Sequence, residues 1–499
     1  MTSKQEQSPE ATAVPDTVEN YVGGEWLSVE GDGQAVTNPA TNESIAEVPY
    51  SDEATVDEAV RTAAEAFPEW RRTSPVDRVQ YLFDLKYELE DRQEDIAQAL
   101  SREHGKTLGE ARGEIRRGIE NVEVAAGIPN MLREGSGNVE GIATRMDEHA
   151  VREPLGVFAA ITPFNFPAMI PLWFLPYAVA TGNTFVLKPS EKVPLSSQLI
   201  YEAVDAVDFP DGVVNLVNGS ADTVNALLEH EEIEGVSFVG SSPVARHIYE
   251  TAAEHGKRVQ AQGGAKNYAV VTPDAVLDEA VPNIIGSVYG NAGQRCLAND
   301  VVIGVDDAYE DLREKLLDAV DDLTVGSGLD EDTDVGPLIT GESKDRVVEM
   351  VEDAVDEGAE LVVDGRDFEH EEYPDGHFLG PTLLEGVTTE MDITQTEIFG
   401  PVLCLADAAD LDDAVEMVNS TQYGNASSLY TENGAEARKY RHEVEAGNIG
   451  INVGVCAPMG FFHFGGRKES FFGDLHAQGE DAVNFYTDKT VLIERWYSN

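Results

Sequence analysis

The stretch that decides the fold runs from Gly156 to Leu187 and reads GVFAAITPFNFPAMIPLWFLPYAVATGNTFVL. It holds no charged residue and is long enough to cross a bilayer. A lipid-exposed helix tolerates breaks poorly, and this stretch is broken by a polar residue and four prolines, Asn165, Pro163, Pro167, Pro171 and Pro176. A buried strand, a turn, a buried helix and a second strand explain it better. We therefore predict a β-α-β unit and no membrane span.

Outward from this unit, patterns typical of strands and helices alternate along the chain. Apolar residues at helical spacing predict helices in DEAVRTAAEAF (57–67) and DTVNALLEH (222–230). Short β-branched runs predict buried strands in GVVNLVNG (212–219), GVSFVGS (235–241), YAVVTP (268–273) and DVVIGV (300–305). This alternation predicts an α/β fold with mostly parallel sheets and helices on both faces.

Length and cysteine content favour a large intracellular protein. A chain of 499 residues suggests roughly two or three domains. Its polar first stretch, residues 1–17, predicts a flexible tail and lacks the apolar core of an export signal. The three cysteines lie far apart and form no disulfide framework, which favours a reducing cytoplasm.

The charge balance is strongly acidic. Asp and Glu number 93 against 34 Lys and Arg, for a net charge of −59, so nucleic acid is a poor partner. The acids are spread along periodic segments such as EDLREKLLDAVDDL (310–323), not gathered in a disordered tail. Such a surface needs screening, and at molar salt the screening length falls to about 3 Å. We therefore predict a halophilic host.

Two strand ends offer groups that could bind a nucleotide. In SFVGSSPV (237–244) a strand ends at Gly240, either following serine can cap a helix, and Pro243 suits its first turn. Such a helix start attracts phosphate, although most such units bind nothing. Lys188 and Glu191 follow another strand, where they could hold two ribose hydroxyls or form a solvated ion pair.

One cysteine has the surroundings of a nucleophile. Cys296, in GNAGQRCLAND (290–300), follows Arg295, which would lower the thiol pKa, and small neighbours leave room for a substrate. A small buried hydrophobe is the alternative interpretation. Asn165 could donate to an oxyanion if the fold brings it near. Cys404 is predicted to be a strand core residue, and Cys456 either lines a pocket or packs. We predict no metal site.

Several motifs together resemble the aldehyde dehydrogenase family over nearly the whole chain. They are ITPFNFP (161–167), GNTFVLKPSE (182–191), SFVGSSPV, GGAKN (263–267), GQRC (293–296) and EIFGPVL (397–403), in the order typical of the family. The resemblance implies two Rossmann-type parallel-sheet domains and a small β oligomerisation element. It assigns 18–136 and 156–264 to NAD binding, 265–465 to catalysis, and 137–155 with 466–499 to oligomerisation.

The resemblance also implies roles for individual residues. Cys296 would be the nucleophile, and Asn165 would stabilise the oxyanion. NAD would be the cofactor, because a carboxylate at Glu191 suits a free 2′-hydroxyl and repels a 2′-phosphate. The cofactor-binding residues carried over are Thr162, Phe164, Lys188, Glu191, Gly219, Gly240, Ser241, Glu397 and Phe399.

One position departs from the hydrolytic members of the family. Where they carry the glutamate that activates water, this chain has Gln262, and an amide cannot accept that proton. The departure, with RRGIENVEVAAGIPNML (116–132) and SFFGDLHAQGEDAVNFYTDKT (470–490), resembles the acylating methylmalonate-semialdehyde dehydrogenase branch. That branch implies coenzyme A as acyl acceptor, loss of CO2, and malonate or methylmalonate semialdehyde as substrate. Arg117 and Arg295 would grip the substrate carboxylate.

Alternatives remain open at this point. Arg117 could instead form a helix-surface ion pair with Glu114 or Glu120. Another carboxylate could replace the missing base, giving a hydrolytic enzyme that releases a free acid. A non-catalytic protein on the same scaffold is a third reading. The family further implies a homotetramer or homodimer, with no nucleic-acid or membrane partner.

Overall fold

A computed structural model describes residues 17–29, 31–133 and 137–497. Strands β1–β22 and helices α1–α15 are numbered along the chain. The predicted tail, residues 1–17, lies outside the described residues except for Thr17, which forms an isolated parallel bridge with Glu47.

The first sheet has eight strands, and its central five are parallel. In spatial order the strands are β2 (Glu25–Leu27), β1 (Asn20–Val22), β9 (Val214–Leu216), β8 (Thr184–Lys188), β7 (Val157–Ile161), β10 (Ile233–Val239), β11 (Arg258–Gln262) and β21 (Phe471–Gly473). Strand β7 comes first along the chain among the parallel five, and the order runs outward from it in both directions. The sheet is therefore doubly wound, with its switch point between β7 and β10.

Helices cover both faces of this sheet. Successive residues of β7 point to opposite faces, because Val157, Ala159 and Ile161 join one core whereas Phe158 and Ala160 join the other. The first core is covered by α1 (Glu53–Trp70), α8 (Ala221–Glu229) and α9 (Ser242–Glu254). The second is covered by α2 (Pro75–Asp91), α3 (Gln93–His104), α4 (Leu108–Ala125), α5 (Ile128–Met131), α6 (Pro171–Thr181), α7 (Leu195–Val207) and α15 (Gly479–Phe485).

The uncharged stretch folds as β7, a turn, α6 and β8, so the predicted β-α-β unit is confirmed. All 11 residues of α6 are buried, which explains why the helix is apolar on every side. It begins at Pro171 and ends before Gly182, whose positive φ of 103° stops the helix. Within the described residues, no helix is both long and apolar enough to cross a membrane.

A second sheet of seven strands lies in the C-terminal half, and only its edge strand β14 is antiparallel. Its order is β14 (Glu360–Val363), β15 (Thr382–Glu385), β16 (Val402–Ala408), β13 (Val301–Val305), β12 (Tyr268–Val271), β18 (Ala426–Tyr430) and β19 (Asn448–Ile451). Its helices are α10 (Leu277–Val288), α11 (Ala308–Asp321), α12 (Gly341–Glu357), α13 (Leu411–Asn419) and α14 (Gly434–Glu443). The predicted fold of two Rossmann-type parallel sheets is confirmed.

Three small antiparallel sheets complete the described chain. They are β3 (Gly33–Asn38) with β4 (Glu43–Pro49), β17 (Tyr423–Gly424) with β20 (Arg467–Lys468), and β22 (Thr487–Arg495) with β6 (Met146–Pro154) and β5 (Asn138–Ala143). The segment from residue 466 onward, expected in the oligomerisation element, is shared between the first sheet and the three-stranded sheet. Strand β21 joins the first sheet and α15 packs in its core, so the three-stranded sheet takes up the chain only at Thr487.

Candidate active site

The carboxyl ends of four parallel strands bring several predicted residues to one edge of the first sheet. In the registers, Ile161 lies opposite both Lys188 and Phe238, and Val239 lies opposite Gln262. Residues Thr162, Lys188, Gly240 and Gln262 therefore end or directly follow strands on the same side. Ligands of open α/β sheets bind at this edge, beside the switch point.

The backbone before Cys296 is strained. Asn291, Ala292 and Gly293 form a 3₁₀ turn with φ values of 56°, 51° and 72°. The left-handed region disfavours a residue with a Cβ, as at Ala292. A carboxylate oxygen of Glu110 accepts the backbone N–H of Asn291 at 2.6 Å, and a Cβ at Gly293 would lie 2.0 Å from the carbonyl oxygen of Gly400. Such strain persists only where neighbours hold it, and it is common at functional sites.

Cys296 lies partly buried beside a cavity of about 310 Å³. Its carbonyl oxygen accepts side-chain amide bonds from Asn267 at 2.9 Å and Asn425 at 2.7 Å. The aromatic side chains of Trp173 and Phe464 line the same cavity. The loop that carries the thiol is thus fixed by hydrogen bonds from the second sheet. Of the other cysteines, Cys404 is fully buried in β16, as predicted, and Cys456 is partly buried.

The thiol is less acidic than the sequence suggests. Burial, followed by the charge of Glu397, raises the pKa of Cys296 to about 12. Arg295 does lower this pKa, but by less, because its guanidinium is paired with Glu110 at 2.8 Å. The effect expected of Arg295 therefore has the predicted direction, but burial and the charge of Glu397 outweigh it. Burial raises the thiol pKa by more than a single cation, already paired with a carboxylate, can lower it.

Both predicted carboxylate-binding arginines line the cavity with Cys296. Arg295 donates to Glu110 and to the Gly286 carbonyl oxygen, whereas its Nε is buried without a partner. Arg117 pairs with Glu120 at 2.9 Å and donates to a cavity-lining carbonyl, that of Pro458, at 3.0 Å. Arg117 therefore forms the ion pair with Glu120 that was expected as an alternative, and it also lines the cavity.

Asn165 lies next to the cysteine loop. The side chain is buried, and its amide donates to the carbonyl oxygen of Gln294, two residues before Cys296, at 3.1 Å. An amide has two N–H groups, so one remains for another acceptor. The fold therefore meets the condition under which Asn165 could act on an oxyanion.

Gln262 ends β11 and is buried. Its Nε2 donates to the carbonyl oxygen of Phe464 at 3.1 Å, and its Oε1 has no partner. An ionised glutamate could not make the bond to that carbonyl, because a carboxylate only accepts. The local structure is therefore built for an amide at this position.

The predicted ribose-binding residues form an ion pair in which the lysine is buried and the Glu191 side chain is 31% exposed. Lys188 and Glu191 lie 2.8 Å apart, and the lysine side chain is only 5% exposed. Although burial acts to raise it, the neighbouring Lys188 holds the pKa of Glu191 below its ordinary value. The carboxylate is therefore ionised at neutral pH and free to accept further hydrogen bonds.

Other predicted cofactor residues lie on several elements. Phe164 and Phe399 make an edge contact with ring centroids 5.8 Å apart. Glu397 accepts the backbone N–H of Ala265 at 3.1 Å, and burial together with the charge of Asp300 raises the pKa of Glu397 to about 8.

Gly219 and Ser241 both lie at helix starts. Gly219 precedes α8, where a Cβ would collide with Thr223. Ser241 is the N-cap residue of α9 but makes no side-chain capping bond; Ser242, within the helix, instead accepts the backbone N–H of Gly264 at 2.8 Å.

These groups fit a dinucleotide. The start of α9 is exposed and leaves backbone N–H groups for an anion. The hydroxyl of Thr162 is buried without a partner at the switch point. The ionised Glu191 beside Lys188 suits ribose hydroxyls.

Three charged residues hold the site together, Lys106, Glu110 and Glu114, and no sequence pattern predicted this role for them. The run TLGE contains one usable signal, because Thr107 and Glu110 form a capping box at the start of α4. Nothing local indicates that the same Glu110 also reaches the cysteine loop.

The described residues contain one grouping of metal-ligating side chains. His463, His476 and Asp481 have ligand atoms within 4.8 Å of one another. His476 already directs one ring nitrogen at Asp481, 3.4 Å away, and the other at the Gly466 carbonyl oxygen, 3.2 Å away. These contacts describe a hydrogen-bonded His–Asp pair, and the expectation of no metal site stays a prediction.

Comparisons with known proteins agree with this geometry. The chain is 47% identical over 485 residues to a malonate-semialdehyde dehydrogenase of Halalkalibacterium halodurans, covering 97% of this chain and 99% of that protein. The crystal structure of a methylmalonate-semialdehyde dehydrogenase from Oceanimonas doudoroffii superposes with a TM-score of 0.95 at 41% identity, over 97% of this chain and 99% of that one.

A third relative carries a bound cofactor. A Sinorhizobium meliloti protein described as a methylmalonate-semialdehyde dehydrogenase, in complex with NAD, superposes with a TM-score of 0.95 at 40% identity, over 97% of this chain and 98% of that one. The pattern of the aldehyde dehydrogenase family matches residues 26–491. The chain therefore belongs to the aldehyde dehydrogenase family and is an enzyme of that class of oxidoreductases.

Proposed function

We propose that this enzyme oxidises malonate or methylmalonate semialdehyde with NAD and transfers the acyl group to coenzyme A with loss of CO2. The names of its relatives support the substrate class. The cavity supports it too, because the Cys296 thiol and the guanidinium groups of Arg117 and Arg295 line the same cavity. A semialdehyde with a carboxylate at its far end matches that set of groups.

The observation that carries the acylating half of the proposal is the buried amide of Gln262. It donates to the carbonyl oxygen of Phe464, which lines the cavity with Cys296. It offers no carboxylate to deprotonate water. A thioester on Cys296 then persists until a thiol nucleophile arrives, since a thiol needs less activation than water.

In the first half-reaction the Cys296 thiol gives up its proton to water, and the thiolate attacks the aldehyde carbon. The Asn165 amide donates to the resulting oxyanion, and such a donor contributes about 3–4 kcal/mol. Arg117 and Arg295 bind the substrate carboxylate, with the unpartnered Nε of Arg295 as one donor. The tetrahedral carbon then loses a hydride, for which NAD would be the acceptor when bound, and becomes the carbonyl carbon of a thioester. Lys188, Glu191 and the start of α9 hold the dinucleotide.

In the second half-reaction the carboxylate β to the thioester leaves as CO2. The bonding electrons pass into the thioester enolate, which takes a proton to give an acetyl or propionyl group. The sulfur of coenzyme A attacks the carbonyl carbon, and Cys296 leaves as the thiolate. The products are acetyl-CoA or propionyl-CoA.

The test is an NADH assay on malonate semialdehyde with and without coenzyme A, with the products identified. We expect steady turnover and acetyl-CoA with the carrier, but only one rapid equivalent of NADH per site without it. Equal release of free acid without the carrier would overturn the acylating assignment. Gln262→Glu should increase acid release without coenzyme A, and Cys296→Ser should abolish the rapid phase.

One observation favours a hydrolytic alternative. Glu397 is a partly buried carboxyl whose pKa is raised to about 8, in the range of a general base. If it activates water, acid release without coenzyme A will be rapid in the native enzyme and will fall in Glu397→Gln. The same assay therefore separates the two functions.

Assembly, salt dependence and location complete the proposal. The sheet of β22, β6 and β5 exposes apolar side chains, including Val139, Val151, Val491 and Ile493, so we propose that it joins copies of the chain into a dimer or tetramer. Light scattering would measure the mass. The charge of −59 supports a salt-adapted enzyme, and the free cysteines support a cytoplasmic one.

A further inference from the structure

We propose that the buried Lys106–Glu114 ion pair is a positioning device for Asn165. It binds the main-chain carbonyl of that residue and the backbone N–H groups of Ala168 and Met169 beyond it, and so aims the Asn165 amide at the reacting carbonyl. This inference rests on the proposed function, which makes Asn165 the oxyanion donor.

The loop that carries Asn165 has little regular structure of its own. It connects β7 to α6, and its two prolines, Pro163 and Pro167, have no N–H to donate. Lys106 reaches it from the end of α3. The ammonium donates to the carbonyl oxygen of Asn165 at 2.7 Å and lies 4.5 Å from the ring centre of Phe166.

Glu114 binds the same loop on its other side. One carboxylate oxygen accepts the backbone N–H groups of Ala168 at 2.8 Å and Met169 at 3.1 Å. The other oxygen accepts from Lys106 at 2.5 Å. The pair therefore clamps the chain before and after the Phe166–Pro167 turn with three bonds to its backbone.

Burial shows what this pair is for. The side chains of Lys106 and Glu114 are 1% and 0% exposed. A buried ion pair is seldom a net source of stability, because desolvation offsets the attraction. Two apolar residues could fill the same space, but they would leave two N–H groups of the loop buried without partners and the Asn165 carbonyl with only a long 3.5 Å contact from the Asn291 amide. The charged side chains are therefore retained because they bind the buried backbone groups of the loop.

The test compares two reactions of Cys296. The burst of NADH from malonate semialdehyde requires the oxyanion donor, whereas alkylation by iodoacetamide forms no oxyanion. We expect Glu114→Gln to lower the burst rate about tenfold or more, towards the loss of about 10²–10³ expected for removing the donor in Asn165→Ala. Alkylation should change less than about twofold, since the thiol itself is untouched.

A double-mutant cycle identifies the route of the effect. If Glu114 acts through Asn165, then Glu114→Gln causes no further loss in the Asn165→Ala background. An equal further loss there, or an unchanged burst in Glu114→Gln alone, would overturn the inference. Glu114→Asp keeps the charge and withdraws the carboxylate; it allows the same cycle if the glutamine variant does not fold.

A matched control lies on the neighbouring surface. Glu94→Gln removes an exposed carboxylate that pairs with Arg112 of the same helix α4, and it should leave both rates unchanged. If Asn165→Ala itself leaves the burst intact, the proposed role of Asn165 fails. If only Glu114→Gln leaves it intact, the positioning inference fails alone.

Discussion

The inner and outer faces of helix α4 carry ion pairs of similar length in opposite surroundings. On the inner face, Glu114 pairs with Lys106 at 2.5 Å, and neither side chain is more than 1% exposed. On the outer face, Arg112 pairs with Glu94 at 2.7 Å, and the side chains are 49% and 50% exposed. Distance alone therefore does not tell what a charged pair contributes.

The difference lies in what else each pair binds. The inner carboxylate also accepts two backbone N–H groups, and its lysine donates to a backbone carbonyl. Water can replace the partners of the outer pair at little cost, so such a pair contributes under about 1 kcal/mol. Water cannot reach the inner groups, so loss of either partner leaves a buried charge.

The largest effect should come from salt acting on the outer surface. With a net charge of −59, we expect the free energy of unfolding to rise as KCl increases from about 0.1 to 1 M, because the screening length falls from about 10 to 3 Å. Chemical denaturation at each salt concentration would measure it. A protein equally stable at both would contradict the salt-adapted interpretation.

The next effect separates the two faces directly. Lys106→Met should lower the free energy of unfolding by about 3–5 kcal/mol, because it strands the Glu114 carboxylate. Arg112→Met should lower it by under about 1 kcal/mol. Denaturation of both variants at low and high salt checks this, and the loss in Lys106→Met should not depend on salt. Equal losses would show that the two faces are equivalent.

Substrate binding should distinguish adjacent arginines of α4. Arg117 lines the cavity, whereas Arg116 lies outside it and pairs with Glu123 at 2.7 Å. Arg117→Lys should reduce kcat/KM for malonate semialdehyde about 10- to 100-fold, since lysine cannot make a bidentate contact. Arg116→Lys should have no effect. Propionaldehyde, which has no carboxylate, is the control substrate, and an equal loss with it would contradict the binding role.

The smallest effect concerns the reactivity of Cys296. Because its pKa is raised to about 12, alkylation should accelerate about tenfold per pH unit from pH 7 to 9 without a plateau. Glu110→Gln frees Arg295 from its carboxylate partner, which lowers the thiol pKa and should speed alkylation a few-fold at any one pH. The outer-face variant Glu123→Gln should match the native rate. A plateau near pH 8 would show that the thiol is acidic.

Local patterns predicted the β-α-β unit correctly because its signals are local. Prolines, the uncharged run and the glycine that ends α6 act on neighbouring residues. The same patterns gave the direction in which Arg295 shifts the Cys296 pKa but not the larger opposing effects, because Glu397 and the burial of the thiol are not visible in the neighbouring sequence. They also left the partner of Arg117 open, which the packing of α4 resolves in favour of Glu120.

Residue identity alone established the α/β class and the amide at position 262, since periodicity and covalent structure are readable along the chain. Folding determined which charges lost their water, which backbone groups they then had to bind, and how far the Cys296 thiol moved from its ordinary acidity. Desolvation and long-range hydrogen bonds depend on groups distant in sequence, so no spacing within a short segment records them.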